Sequence, residues 1–196
     1  MGKNRLEAFS DGVLAIIITI MVLELKRPEG SGLTALRPLV PVLSSYVLSF
    51  IYIGIYWNNH HHLFHAARRV NGAVLWANLH LLFWLSLFPV ATEWMGSTGI
   101  LPGPTSAYGF VLFMAAVAYA ILQSAIIAGE GPSSLVKAAV GHDWKGKLSP
   151  VIYLAGIVLA YIEPRISVAG YVFVALLWLA PDRRIERLYR GHQEGE

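Results

Sequence analysis

The sequence predicts an all-α, polytopic membrane protein with six transmembrane helices per subunit. Two observations of composition predict this class: 56% of the 196 residues are hydrophobic and only 14% are charged, which gives a mean hydropathy of +0.55. A soluble domain carries about a quarter charged residues. The third observation is that the apolar residues form long runs separated by short polar stretches, which is typical of membrane proteins.

Six segments approach the length that a membrane helix needs, roughly 20 residues at about 1.5 Å of rise each. Their expected bounds are 8–25, 38–57, 71–95, 105–128, 149–163 and 166–181. Because Pro164 cannot continue the preceding helix, we expect the last two to form a tight helical hairpin. In the polar loop 129–148 we expect a short interfacial helix near residues 135–140. The whole chain, 1–196, is therefore predicted to be a single membrane domain.

The distribution of lysine and arginine predicts how these helices are oriented. Eleven of the fifteen lie in the N-terminus, the second and fourth loops and the C-terminal tail. The other four are Lys26, Arg27, Arg37 and Arg165. Because positive residues are enriched in cytoplasmic loops, we expect both termini in the cytoplasm. The first segment lacks a small-residue cleavage site, so we expect it to be retained and not removed as a signal peptide.

Charge and cysteine content exclude several other classes. The net charge of +3 is spread over the loops, so binding to nucleic acid is not expected. The chain contains no cysteine, which rules out a disulfide framework and thiolate chemistry.

The first segment carries one stripe of side chains when it is placed on a helix at about 100° per residue. The stripe consists of Phe9, Gly12, Ile16, Thr19, Ile20 and Leu23. Periodicity alone favours a lipid-facing or packing surface for such a stripe. Asp11 lies away from it, and an unpaired charge at mid-membrane depth costs at least about 3 kcal/mol. We therefore expect Asp11 to face neighbouring helices and to find partners there.

Three stretches resemble one known family. The pattern R-x-x-x-F-S-D-G is formed by Arg5, Phe9, Ser10, Asp11 and Gly12, and the run AIIITIMVLEL follows it. This pattern resembles the first helix of the transmembrane protein 175 family, the endolysosomal potassium channels and their single-repeat bacterial relatives. The run WNNHHHLF at 57–64 is similar to the end of that family's second helix. The run NLHLLFWLSLFPVAT at 78–92 is similar to its third helix.

The resemblance implies a potassium-permeable cation channel, a homotetramer whose central pore is lined by the first helix of each subunit. Ile16 would form the narrow apolar constriction, Ile20 and Leu23 further rings, and Thr19 a layer that favours potassium. No T-x-G-Y-G filter occurs in the sequence. A ring of isoleucines offers no oxygen to an ion, so it acts by width and by dewetting.

The same resemblance implies the setting of the protein. It would lie in the inner, or plasma, membrane of a prokaryote. Its partners would be copies of itself, membrane lipids and potassium as the permeant ion, and it would need no cofactor or bound metal.

A polar network is predicted to hold the pore helix in place. Its proposed members are Arg5, Phe9, Ser10, Asp11, Gly12, His61, His65 and His80. Gly12 is expected to let a neighbouring helix approach closely. Ser10 and Asp11 would form a polar patch among the first three helices, completed by histidines of the second and third.

The histidine run is also compatible with functions other than potassium conduction. His61 and His65 are four residues apart on one helical face, with His62 beside them, a spacing that suits a divalent metal. The sequence has no H-E-x-x-H or E-x-x-H pattern, which favours hydrogen-bonded or interfacial histidines over a catalytic metal site. Proton sensing, proton permeation and an intramembrane enzyme stay open. A secondary transporter also stays open, although neither internal repeats nor interrupted helices are visible in the sequence.

Overall fold

The computed structural model describes residues 2–131, 134, 136–137 and 144–179, and the regular structure in this part of the chain is helical. The elements are α1 (Lys3–Leu23), a 3-10 helix (Leu33–Leu39), α2 (Val40–Ala66), α3 (Gly72–Leu85), α4 (Phe88–Ser97), α5 (Pro102–Glu130), α6 (Trp144–Leu159) and α7 (Pro164–Leu179). The all-helical prediction is confirmed. The helix expected near 135–140, apart from positions 136 and 137, and the basic tail beyond residue 179 lie outside the described residues.

Four helical stretches are long and apolar enough to cross a membrane. They are Lys3–Leu23, Leu33–Ala66, Gly72–Ser97 and Pro102–Glu130. The last two helices, α6 and α7, have 16 residues each, about 24 Å of helix. They form the expected hairpin, and Pro164 is the first residue of α7, where its missing N–H leaves no helical hydrogen bond unmade.

Helices α1 and α2 are among those that extend past the bounds expected from the apolar runs. The second was expected to end at residue 57 but continues to Ala66. The first begins at Lys3 and not at residue 8. Asparagine and histidine interrupt an apolar run without interrupting a helix, so hydropathy locates the membrane-buried part of a helix and misses its polar ends.

The third segment, expected at 71–95, lies within the single apolar stretch Gly72–Ser97, but a short turn divides it into two helices. The α-helix stops after Leu85, and α4 begins at Phe88. Pro89 has no N–H to donate to the carbonyl of Leu85, and its ring crowds that carbonyl. The Ser86 hydroxyl donates to the Phe83 carbonyl at 2.7 Å, which satisfies one of the acceptors freed at the end of α3.

Contacts at one end of the bundle bring three helix termini together. Lys3 Nζ donates to the carbonyls of His65 (3.4 Å) and Ala67 (3.2 Å), where α2 ends. The backbone N–H of Arg68 donates to the carboxylate of Glu130, where α5 ends. We call this the basic end, because Lys3, Arg68 and neighbouring Arg69 lie there.

The packing of α5 against the final hairpin depends on two glycines. Tyr171 on α7 is buried, and its hydroxyl donates to the Thr105 carbonyl at 3.3 Å. The ring fills the space that a side chain would need at Gly109 of α5 or Gly156 of α6.

Replacing Gly109 with alanine is expected to destabilise the subunit. The new methyl group would overlap the Tyr171 hydroxyl, and overpacking of this kind costs about 1–3 kcal/mol. The melting temperature in detergent should fall. Gly103→Ala on the same helix is the matched control, because a methyl group there meets nothing within 4 Å. Equal melting temperatures for the two variants would contradict this packing account.

Candidate functional site

One face of α1 anchors the helix to its own subunit. The buried residues of α1 recur every three or four positions. They are Leu6, Ser10, Leu14, Ile17 and Met21. This face packs against α2, α3 and α4. The helix is therefore held from one side by the first half of the bundle.

The opposite face of α1 is left uncovered by the described residues of its subunit. It carries the stripe found in the sequence: Phe9, Gly12, Ile16, Thr19, Ile20 and Leu23 are all exposed. The exposed fraction is 60% for Ile16, 42% for Ile20 and 76% for Leu23. In a membrane, so apolar a face contacts lipid, packs against another copy of the chain, or lines a pore between copies.

Thr19 uses its hydroxyl proton within its own helix. The Oγ1 atom donates to the Ala15 carbonyl at 2.8 Å. A hydroxyl oxygen still has lone pairs when its proton is donated. Thr19 thus presents acceptor oxygen, and not a donor, to whatever covers the exposed stripe.

Asp11 finds a partner on a neighbouring helix, as expected. Trp57 Nε1 of α2 donates to the Asp11 carboxylate at 3.0 Å. The Trp57 ring stacks on His61 with 6.4 Å between ring centroids. Both Asp11 and Trp57 are exposed in the single subunit, so this contact lies beside the face of α1 that is left uncovered.

A buried chain of three polar side chains joins α1 to α2 and α3. Asn78 Nδ2 donates to Ser10 Oγ at 2.9 Å, and Ser10 Oγ donates to the Leu6 carbonyl at 2.9 Å. The Asn78 carbonyl oxygen lies 2.8 Å from His60 Nε2, which places the His60 proton on that nitrogen. All three side chains are buried. Hydrogen bonds of this kind, away from water, fix the position of α1.

The members of this chain differ in part from the predicted network. Ser10 belongs to it, whereas His60 and Asn78 were missed. His61 and His65 are exposed, with rings 6.2 Å apart, and His80 accepts from Trp84 Nε1 at 2.9 Å. The positional signal existed in the sequence, because His60 continues the four-residue spacing of Tyr52 and Tyr56, which are also buried.

Arg5, Phe9 and Gly12 lie on exposed positions of α1. A methyl group built at Gly12 meets no atom within 4 Å. Within the described part of the subunit, no other helix therefore approaches Gly12 closely. Its expected role in close helix packing would apply to contacts with another copy of the chain.

Beyond the other end of α1, Glu24 lies near a second carboxylate. Glu24 and Glu93 line one small pocket together with Thr92. Partial burial raises the pKa of the Glu24 carboxyl, and repulsion from Glu93 raises it further. Across the part of the chain that the structure describes, no group of three or more histidine, aspartate or glutamate side chains is arranged to hold a metal ion.

Comparison with known proteins decides the family. Residues 5–89 match the family described as "Endosomal/lysosomal potassium channel TMEM175". A protein of Chryseobacterium sp. (strain P1-3), named as a potassium channel, is 56% identical over 187 residues, which cover 95% of this chain and 97% of that protein. The chain belongs to the TMEM175 family. TMEM175 proteins are ion channels, which are not a class of enzyme, and the apolar helices make this member a multi-pass membrane protein.

A solved TMEM175 structure has the same fold. The crystal structure of a "lysosomal potassium-selective channel TMEM175 homolog from Chamaesiphon Minutus" matches with a TM-score of 0.79 and 27% identity, over 90% of this chain and 96% of that one. The human protein named "Endosomal/lysosomal proton channel TMEM175" is 33% identical over 105 residues. That match covers 47% of this chain and 21% of the human protein.

Proposed function

We propose that this chain is a potassium channel that assembles as a homotetramer and conducts K⁺ passively along a central pore lined by α1. The observation that carries the proposal is the exposed apolar stripe of α1, which lies opposite the face that anchors the helix. The bacterial relatives named as potassium channels support the choice of ion. Because each subunit supplies a single α1, a pore with this lining requires several copies of the chain.

Ile16 is the proposed constriction. Four Ile16 side chains around the axis offer no oxygen to replace the water of an ion, so conduction depends on the width of the ring and on whether water fills it. Ile20 and Leu23 would form further apolar rings along the same stripe. The acceptor oxygen of Thr19, one turn from Ile16, would assist partly dehydrated K⁺.

The orientation in the membrane follows from the basic end. The positive-inside rule assigns this end, with Lys3, Arg68 and Arg69, to the cytoplasm. Both termini would then be cytoplasmic, and the protein would lie in the plasma membrane of a prokaryote. Glu24 and Glu93 would lie near the outer mouth.

Potassium flux into proteoliposomes tests the pore, with Thr19→Val as the informative variant. Valine keeps the shape and removes the oxygen, so the preference for K⁺ over Na⁺ should fall about two- to fivefold, the effect of one lost polar contact. Thr98→Val at the end of α4 is the control, because its hydroxyl also donates four residues back, to the Trp94 carbonyl at 2.7 Å. An unchanged ion preference in Thr19→Val, or an equal fall in both variants, would contradict the assignment of Thr19.

Proton permeation is a second candidate, favoured by the human relative, which is named a proton channel. A pH-sensitive dye inside proteoliposomes without K⁺ measures it. Proton uptake faster than in protein-free vesicles, and abolished together with K⁺ flux by the same α1 variants, would place both ions in one pore.

The interruption between α3 and α4 is the observation that favours the alternative function, a secondary transporter. Interrupted helices are common in secondary transporters, and this one was not expected from the sequence. A channel should show K⁺ flux that does not depend on a second ion. Flux that saturates and requires a second ion gradient would favour a transporter.

A further inference from the structure

A cavity of about 250 Å³ opens near the basic end of each subunit, between α2 on one side and α5 and α6 on the other. Its position follows from its lining, which includes Asn59 and Ile127 near the ends of α2 and α5 and Gly146 near the start of α6. Aromatic side chains form much of its wall. They are Tyr52, Tyr56, Tyr119, Tyr153 and Trp178. None of these residues belongs to the proposed pore stripe.

The wall of the cavity is mostly apolar, and the charge that its described residues carry is positive. Lys147, an exposed residue of α6, is the charged residue among the described residues that line the cavity. Several polar groups of the lining are already bonded: Tyr119 donates to the Asn59 carbonyl at 3.1 Å, and Trp178 Nε1 donates to Ser149 Oγ at 2.9 Å. The ligand that fits is therefore an amphiphile with an apolar chain and an anionic group.

We propose that this cavity binds an anionic phospholipid, with one acyl chain among the aromatic rings and the phosphate beside Lys147. Pockets that bind small molecules are mostly apolar with a few placed polar groups, and basic pockets between membrane helices bind lipid headgroups. Charge complementarity selects an anionic lipid over a zwitterionic one.

The bound lipid would contact the helix that holds α1. Tyr56 and Asn59 line the cavity, and the same turn of α2 carries Trp57 and His60, which connect to Asp11 and, through Asn78, to Ser10. A lipid between α2 and α5 would therefore contact the turn of α2 whose side chains hold α1 in position.

Native mass spectrometry of the purified full-length protein tests the site, with dioleoylphosphatidylglycerol and dioleoylphosphatidylcholine offered in equal amounts. We expect phosphatidylglycerol to be retained about fivefold over phosphatidylcholine, the factor that one lysine near an anionic headgroup supplies. Lys147→Gln should remove this preference. Arg69→Gln, the same change of charge at the same end but outside the cavity lining, should leave it intact. Equal retention of both lipids, or equal effects of the two substitutions, would overturn the proposal.

A bulky substitution distinguishes lipid bound in the cavity from lipid bound elsewhere on the protein surface. Ala120 lines the cavity and Ala128 does not, and both are exposed on α5. Ala120→Phe should lower phosphatidylglycerol retention severalfold, whereas Ala128→Phe should not change it. Oleate offered with phosphatidylglycerol identifies the source of the anion. Displacement of the phospholipid by an equal amount of oleate, or full retention in Ala120→Phe, would contradict the assignment.

Discussion

Ile16→Asn is expected to increase K⁺ flux into proteoliposomes by on the order of tenfold and to bring the preference for K⁺ over Na⁺ close to one. An apolar ring excludes water, whereas four amide side chains at the same place would hydrate it and remove the barrier. Because Ile16 is exposed, the substitution leaves the buried face of α1 unchanged and should not disturb the packing of the subunit. Flux of each ion, measured per molecule of reconstituted protein, gives both quantities.

The matched control for this variant is Ile121→Asn. Ile121 is also an exposed isoleucine, but it lies on α5, away from the proposed pore. Its flux and ion preference should equal those of the unmodified protein. If Ile16→Asn also behaved like the unmodified protein, Ile16 would not form the constriction.

Asn78→Leu is expected to produce the second large effect, a loss of correctly assembled and conducting protein. Leucine removes both hydrogen bonds of Asn78 and leaves the buried Nε2–H of His60 without an acceptor. An unsatisfied buried donor costs about 1–3 kcal/mol, enough to reduce the assembled fraction by on the order of tenfold. Size-exclusion chromatography and K⁺ flux per protein measure the loss.

The double variant His60→Leu/Asn78→Leu tests whether the loss in Asn78→Leu comes from the broken hydrogen bond or from the changed shape of the side chain. Replacing both partners with apolar groups removes the unsatisfied donor, so part of the loss should be recovered. Asn58→Leu, at an exposed position of α2, should have little effect. If the loss of assembled protein in the double variant equalled the losses in Asn78→Leu and His60→Leu combined, that result would contradict a direct bond between the two side chains.

The anchored and exposed faces of α1 were predictable because a single rule, about 100° per residue, determines which side chains share a face. The stripe through Ile16 and Leu23 is exposed as a unit, and Asp11 bonds to Trp57 outside it. The rule shows which residues lie together. What covers the stripe depends on other copies of the chain, which a single helix does not specify.

The parts that were missed depend on contacts between helices. His60 and not His61 bonds to Asn78 because the phase of α2 turns it inward, and that phase is set by packing against α1 and α4. The interruption before α4 had a local cause, Pro89, that hydropathy averages over. The cavity near Lys147 arises from aromatic side chains on four helices and has no signature in any one of them.

Cadmium block of a single cysteine at position 16 is the most direct measurement of the central claim. The chain has no cysteine of its own, so Ile16→Cys introduces the only thiol of each subunit, and thiolates are soft ligands that bind soft metal ions. If four copies of α1 surround the pore, low concentrations of Cd²⁺ should block K⁺ flux through Ile16→Cys and leave Ile121→Cys unaffected. Unblocked flux through Ile16→Cys, together with block of Ile121→Cys, would show that another segment lines the path of the ion.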